Sequence, residues 1–183
     1  MKILALAGSL RAASINAALL RAAARLAPPG CTITLLSLAA LPLFNPDLEG
    51  APAPAVLALR RAVDLSDALM IASPEYAHGV SGVMKNALDW LVSVPDMVHK
   101  PTALVNASQR STHAQLSLAE TVRTMSMHLV AEPPYVVPLV DRGMTSEAIA
   151  SDPALAAPLR DCLDALIVAV SRDRHATPVL PPR

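Results

Sequence analysis

Within residues 7–16, AGSLRAASIN, the chain crowds Ser9, Arg11, Ser14 and Asn16 between the apolar run MKILAL and a long apolar segment. Hydroxyl and amide donors together with a guanidinium stand where a buried strand turns into a helix. The unpaired N–H groups and dipole of a helix start favour an anion, and an arginine adds a charge-assisted fork. The chemistry this stretch suits is the binding of a phosphate. The same residues also have a local use, Ser14 as helix N-cap and Arg11 as a solvated loop residue. Cap and cradle are compatible.

Two further polar loops each follow an apolar run: SPEYAHGVSG at residues 73–82 and NASQRSTHA at 106–114. Neither they nor the first loop contains G-x-G-x-x-G or G-x-x-x-x-G-K-[ST], which argues against a Rossmann dinucleotide fingerprint and a Walker loop. His78, His99, His113, His128 and His175 have no metal-ligand spacing, and no carboxylate pair or Ser-His-Asp pattern is visible. No catalytic side chain and no metal ligand is therefore assigned. Glu75 is the only acid in a loop of interest, and a structural or subunit-contact role suits it better than acid catalysis.

The elements that must hold these loops follow from composition and periodicity. A chain of 183 residues fits one domain with a full core. The residues are 53% hydrophobic but only 2% aromatic, so Ala, Leu and Val must build the core, as in helices packed closely on a parallel sheet. Fifteen basic and fifteen acidic residues cancel, leaving no electrostatic case for a nucleic-acid or anionic-membrane partner. The two cysteines, Cys31 and Cys162, sit far apart in apolar settings and read as reduced, buried thiols of a cytosolic protein. The first apolar run is shorter than a signal-peptide core and no run of 18 apolar residues occurs, so the expectation is a soluble cytoplasmic protein.

KILALA (2–7), CTITLLSL (31–38), ALMIAS (68–73), TALVNA (102–107) and YVVPLV (135–140) read as five strands, with Pro138 placing the fifth at an edge. Helices are expected at 14–26, around Val56, Leu59 and Val63, at 82–94, at 112–129 and at 153–172. Ser151 or Asp152 should cap the last helix, and Pro158 should delay its regular start. One domain over residues 1–175 with a frayed tail at 176–183 is expected. Strands alternating with helices give a parallel sheet covered on both faces. In such α/β folds ligands sit beyond the carboxyl ends of the strands, where the three polar loops converge.

AGSLRAASIN, LPLFNPDLE after the second strand and PEYAHGVSGVMKNALDW resemble, in order, the NADPH-dependent FMN reductase family, with its chromate, quinone and azo reductases; the likeness spans about residues 2–140. The resemblance implies a flavodoxin-like α/β domain with five parallel strands in the order 2-1-3-4-5. It implies non-covalent FMN, with Gly8, Ser9, Arg11, Ser14 and Asn16 at the phosphate and Pro74, Glu75 and Tyr76 along the isoalloxazine. Ala107 and Ser108, small enough to approach the ring, complete the cofactor set. The implied activity passes hydride from NADPH or NADH to FMN and on to a quinone, azo, metal-oxyanion or free-flavin acceptor. The alternatives are a flavodoxin-type electron carrier, which the balanced charge disfavours, and a flavin-binding sensory or interaction protein. The family also implies a homodimer or homotetramer, with Lys85, Asp89 and Trp90 along the subunit contact.

Two departures stand out. Ala77 and His78 follow the tyrosine where the family usually has Asn, and the third loop has none of the family's glycines. In that loop Gln109, Arg110 and His113 either narrow the pocket or contact a phosphate of the nicotinamide nucleotide. The commoner arrangement is a solvated loop with a helix cap at Ser111 or Thr112.

Overall fold

The computed structural model describes residues 1–132, 134–139 and 143–176. Strand β1 (Lys2–Ala7) leads to helix α1 (Ile15–Leu26), β2 (Thr32–Leu36), α2 (Pro54–Asp64) and β3 (Ala68–Ala72). A two-stranded hairpin, β4 (Glu75–Tyr76) and β5 (Gly79–Val80), precedes α3 (Gly82–Asp89). Then come β6 (Pro101–Asn106), α4 (Thr112–Thr124), β7 (His128–Leu129), β8 (Tyr135–Val136), α5 (Ser146–Ser151) and α6 (Pro153–Ala176).

The main sheet is parallel, in the order β2-β1-β3-β6-β7, with β8 also pairing β6. This is the expected flavodoxin-like α/β fold. The edge departs in detail, because two short strands share the fifth position. β7 pairs the start of β6 at Pro101 and Thr102, and β8 pairs its end at Val105 and Asn106. Residue 140, the end of the expected fifth strand, lies outside the described residues, as does the expected frayed tail except for Ala176.

Strand alternation divides the core. Ile3, Ala5, Ala7, Met70, Ala72, Ala103 and Val105 face α1, α5 and α6, while Leu4, Leu6, Leu69, Ile71 and Leu104 face α2, α3 and α4. Alanine dominates the first face, where Ala17, Ala22 and Ala23 bring α1 close to the sheet, which accounts for a core with few aromatic rings.

Three helices end or begin elsewhere than expected. α3 stops at Asp89 rather than residue 94, and the chain tightens into three-residue turns, Leu91 N–H to Leu88 O at 2.9 Å and Val94 N–H to Leu91 O at 3.0 Å. The Trp90 indole, fully buried, donates to the Pro42 carbonyl at 2.8 Å and meets Phe44 edge-on. Asn86 holds the same loop, donating to Pro42 O at 2.9 Å and accepting from Phe44 N–H at 2.7 Å. Trp90 therefore packs inward instead of lying on an outer face, while Lys85 and Asp89 pair at the surface.

α4 stops at Thr124 instead of residue 129 because Ser126 takes a positive φ of 59° and its carbonyl accepts the His99 N–H at 2.8 Å. α6 starts at Pro153, capped by Asp152, whose Oδ1 accepts from Ala154 N–H at 2.8 Å; it passes through Pro158 without delay and extends beyond Arg172. α5, an element beyond those expected from the sequence, is capped by Thr145 through Ala148 N–H at 3.1 Å and buries Ile149. Among the described residues no helix is long and apolar enough to cross a membrane.

Candidate functional site: a polar cavity at the carboxyl ends of the strands

Beyond the carboxyl ends of β1, β3 and β6 the three polar loops surround one cavity of about 560 Å³. The first loop lines it with Ser9, Arg11, Ser14 and Asn16. The loop after β3 contributes Ser73, Pro74, Glu75 and Tyr76, and the loop after β6 contributes Asn106, Ala107, Ser108, Gln109 and Arg110. Nine of the ten cofactor residues expected from the sequence thus share one wall system. The tenth, Gly8, is buried behind it.

Gly8 has a packing reason to be glycine. A Cβ there would lie 2.6 Å from the Ser73 Oγ and 2.7 Å from the Ser81 Oγ. Its N–H donates to Ala72 O at 2.8 Å, locking the end of β1 to the end of β3. The first and second loops therefore leave the sheet side by side.

At the start of α1, Ser14 is the N-cap, its Oγ accepting from Ala17 N–H at 3.2 Å. The hydroxyl proton remains available to the cavity. Asn16 is only 4% exposed, and among the described residues its side chain has no hydrogen-bond partner, although it faces the cavity. Among the described residues only the Gln115 amide is both sealed from solvent and unpartnered, so the Asn16 amide still reaches the cavity and is open to a ligand. Arg11 is exposed at the rim and, among the described residues, forms no ion pair. Two donors aimed inward, a free guanidinium and a helix start form a set suited to a terminal phosphate.

The second wall is held by a contact that local sequence reading cannot see. Ser111 occupies the N-cap position of α4 but makes no side-chain cap bond. Instead Glu75 Oε2 accepts the Ala114 N–H at 2.9 Å, so the hairpin caps the helix. The expected cap at Ser111 or Thr112 is thus replaced by a residue from another loop. His78 stacks on His113 with ring centroids 4.2 Å apart, a second tie between hairpin and helix.

The third loop does without glycine by using side-chain turns. Asn106 Oδ1 accepts from Ser108 N–H at 3.0 Å, and Ser108 Oγ accepts from Arg110 N–H at 3.2 Å. These bonds fold the loop toward the cavity, and Gln109 and Arg110 stand on its wall rather than wholly in solvent. His113 points instead to the hairpin.

Sequence reasoning missed Ser73, Asn106, Pro138 and Leu139 as cavity residues. For the first two a signal existed, since each is a polar residue at the end of a fully buried strand. Pro138 and Leu139 arrive only through the pairing of β8 with β6. Among the described residues no cluster of three His, Cys, Asp or Glu side chains could hold a metal ion.

Comparison with known proteins agrees with this arrangement. Residues 1–140 match the family described as NADPH-dependent FMN reductase. An NAD(P)H-dependent FMN reductase of Pseudomonas aeruginosa is 37% identical over 144 residues, covering 75% of this chain and 77% of the relative. An NADPH:quinone oxidoreductase of Arabidopsis thaliana is 34% identical over 145 residues, covering 75% of this chain and 74% of the relative. Among solved structures, the flavoenzyme NAD(P)H:(acceptor) oxidoreductase FerB of Paracoccus denitrificans superposes with a TM-score of 0.79 at 25% identity, over 93% of this chain and 97% of that one. The chain belongs to the NADPH-dependent FMN reductase family.

Proposed function

We propose that this chain is an NAD(P)H-dependent, FMN-containing reductase that delivers electrons to a small acceptor of the quinone, azo, metal-oxyanion or free-flavin kind. The observation that carries the reading is the convergence of the Asn16 amide, the N-cap Ser14 and, among the described residues, the unpaired Arg11 on the cavity that Pro74, Glu75 and Tyr76 also line. In this proposal Ser9, Arg11, Ser14 and Asn16 bind the FMN phosphate, and Gly8 brings their loop against β3. Pro74, Glu75, Tyr76, Ala107 and Ser108 form the walls against the flavin ring. Bound there, FMN supplies hydride acceptance from a nicotinamide and reduction of a second substrate. The protein's part is to fix the cofactor by its phosphate and leave one side of the cavity open, so that donor and acceptor take turns; no side-chain acid or base is required.

The proposed unit is a single domain over residues 1–175 acting in the cytoplasm as a homodimer or homotetramer. The free thiols, Cys162 buried as expected and Cys31 only half-buried just before β2, support a reducing compartment. The exposed Leu43, in the loop after β2, and Val92, just past α3, support subunit contact in that region.

Purified protein reconstituted with FMN should show a bound-flavin visible spectrum and oxidise NADPH or NADH steadily with a quinone present. A bound flavin without nicotinamide turnover would leave the electron-carrier alternative; no flavin binding would remove both.

A further inference from the structure

The cavity holds a second cation that the proposed FMN cradle leaves unused. Among its described lining residues only Arg11, Arg110 and Glu75 carry charge. Glu75 makes no ion pair with Arg110; its carboxylate accepts the Ala114 N–H at the start of α4. Arg110 forms no ion pair among the described residues.

The two arginines serve different ends of the cavity. Arg11 follows β1 and Arg110 follows β6, with β3 between them in the sheet. Strands about 4.8 Å apart set the roots of those loops about 10 Å apart. The single FMN phosphate belongs with Ser14 and Asn16 at the β1 side, so Arg110 faces the space beyond Pro74, Glu75 and Tyr76.

The loop that carries Arg110 is built to hold it. Besides the Asn106 and Ser108 turns, Asn106 Nδ2 donates to Ser111 O at 3.4 Å and Ser111 N–H donates to Ser108 O at 3.3 Å. The backbone at residue 110 is fixed and only the exposed side chain remains free. The side chain, and not the loop, is then what must be ordered when the guanidinium meets an anion.

We propose that Arg110 receives the 2′-phosphate of NADPH and so sets a preference for NADPH over NADH. This rests on the reductase reading above. Of the acceptors named above only a metal oxyanion or a phosphorylated flavin is anionic, whereas the nicotinamide donor brings phosphates to every turnover. The terminal dianionic 2′-phosphate is the group on it best matched to a two-pronged arginine. The glycine-free third loop then acts on the choice of donor rather than on flavin binding.

The test compares wild type with Arg110→Ala and Arg110→Lys, using FMN-loaded protein and an uncharged quinone at saturation. The expected result for Arg110→Ala is a loss of about tenfold or more in kcat/KM for NADPH, carried by KM, from losing a charged hydrogen bond. The values for NADH should stay within about twofold and the FMN titration should be unchanged, because neither involves the 2′-phosphate. Arg110→Lys should recover part of the NADPH loss, and adenosine 2′-monophosphate should compete with NADH in wild type more strongly than in Arg110→Ala. Equal losses for the two nucleotides, no loss for either, or weakened FMN binding would overturn the assignment. Wild type that turns over both nucleotides while Arg110→Ala behaves identically defeats the Arg110 proposal alone; wild type that turns over neither defeats the parent reading with it.

Discussion

The Glu75 carboxylate caps helix α4 across 39 residues of sequence, taking the Ala114 N–H at 2.9 Å. One residue thereby fastens the hairpin beside the cavity to the helix that follows the third loop. Replacing it separates hydrogen bond from charge. Glu75→Ala leaves a helix-start donor unmet and should cost about 1 kcal/mol, the usual value of an N-cap. Glu75→Gln keeps an acceptor oxygen and should cost only a few tenths, the loss of charge at a helix N-terminus. Urea unfolding of the three proteins measures both; equal costs would mean that the hydrogen bond is not the contribution that matters.

The hairpin turn carries strain that a single change should relieve. Ala77 and His78 both have positive φ, 49° and 61°, as a two-residue hairpin connection of the I′ kind requires. Alanine has no side-chain means of offsetting that conformation, whereas asparagine adopts it readily. Ala77→Asn should therefore raise stability by about 0.5–1 kcal/mol, seen as a higher denaturation midpoint at unchanged slope. A lower midpoint would show that another contact of Ala77 outweighs the turn.

Much of the fold could be read from the sequence because β3 is apolar and buried throughout, and β1 after Lys2 and β6 apart from Thr102 and Asn106 are buried apolar runs. The phosphate-type loop was legible for a similar reason, its polar residues standing out against apolar neighbours. Helix ends were less legible. Trp90, Leu91 and Val94 keep a helical apolar rhythm past Asp89 because they still face the core, while their hydrogen bonds have already tightened into turns. Periodicity reports burial, not bonding. The stop of α4 depends on His99 meeting the Ser126 carbonyl, and its cap depends on Glu75; both partners are distant in sequence. The split edge was hidden because β7 and β8 are two residues each, too short to alternate.

Cys162, fully buried in α6, should give the protein an alkaline weakness. Burial pushes its thiol from an ordinary 9.0 up to about 12. Between those values the unfolded chain has released the proton and the folded chain has not, so stability falls as pH rises above 9.0. By about pH 10.5 the loss should reach up to about 2 kcal/mol. Cys162→Ala should be less stable at neutral pH but free of this part of the decline. Parallel pH slopes for wild type and Cys162→Ala would contradict the account.

The central claim, that the first loop is a phosphate cradle for FMN, is tested most directly by titrating the apoprotein with FMN and with riboflavin and following the flavin spectrum. The two ligands differ only in the phosphate. The account predicts that wild type binds FMN far more tightly than riboflavin. It also predicts that Arg11→Ala weakens FMN by about 1.5–3 kcal/mol, the value of a hydrogen bond to a charged group, and leaves riboflavin almost unaffected. Equal affinity for the two flavins in wild type, or an FMN titration unchanged by Arg11→Ala, would contradict it.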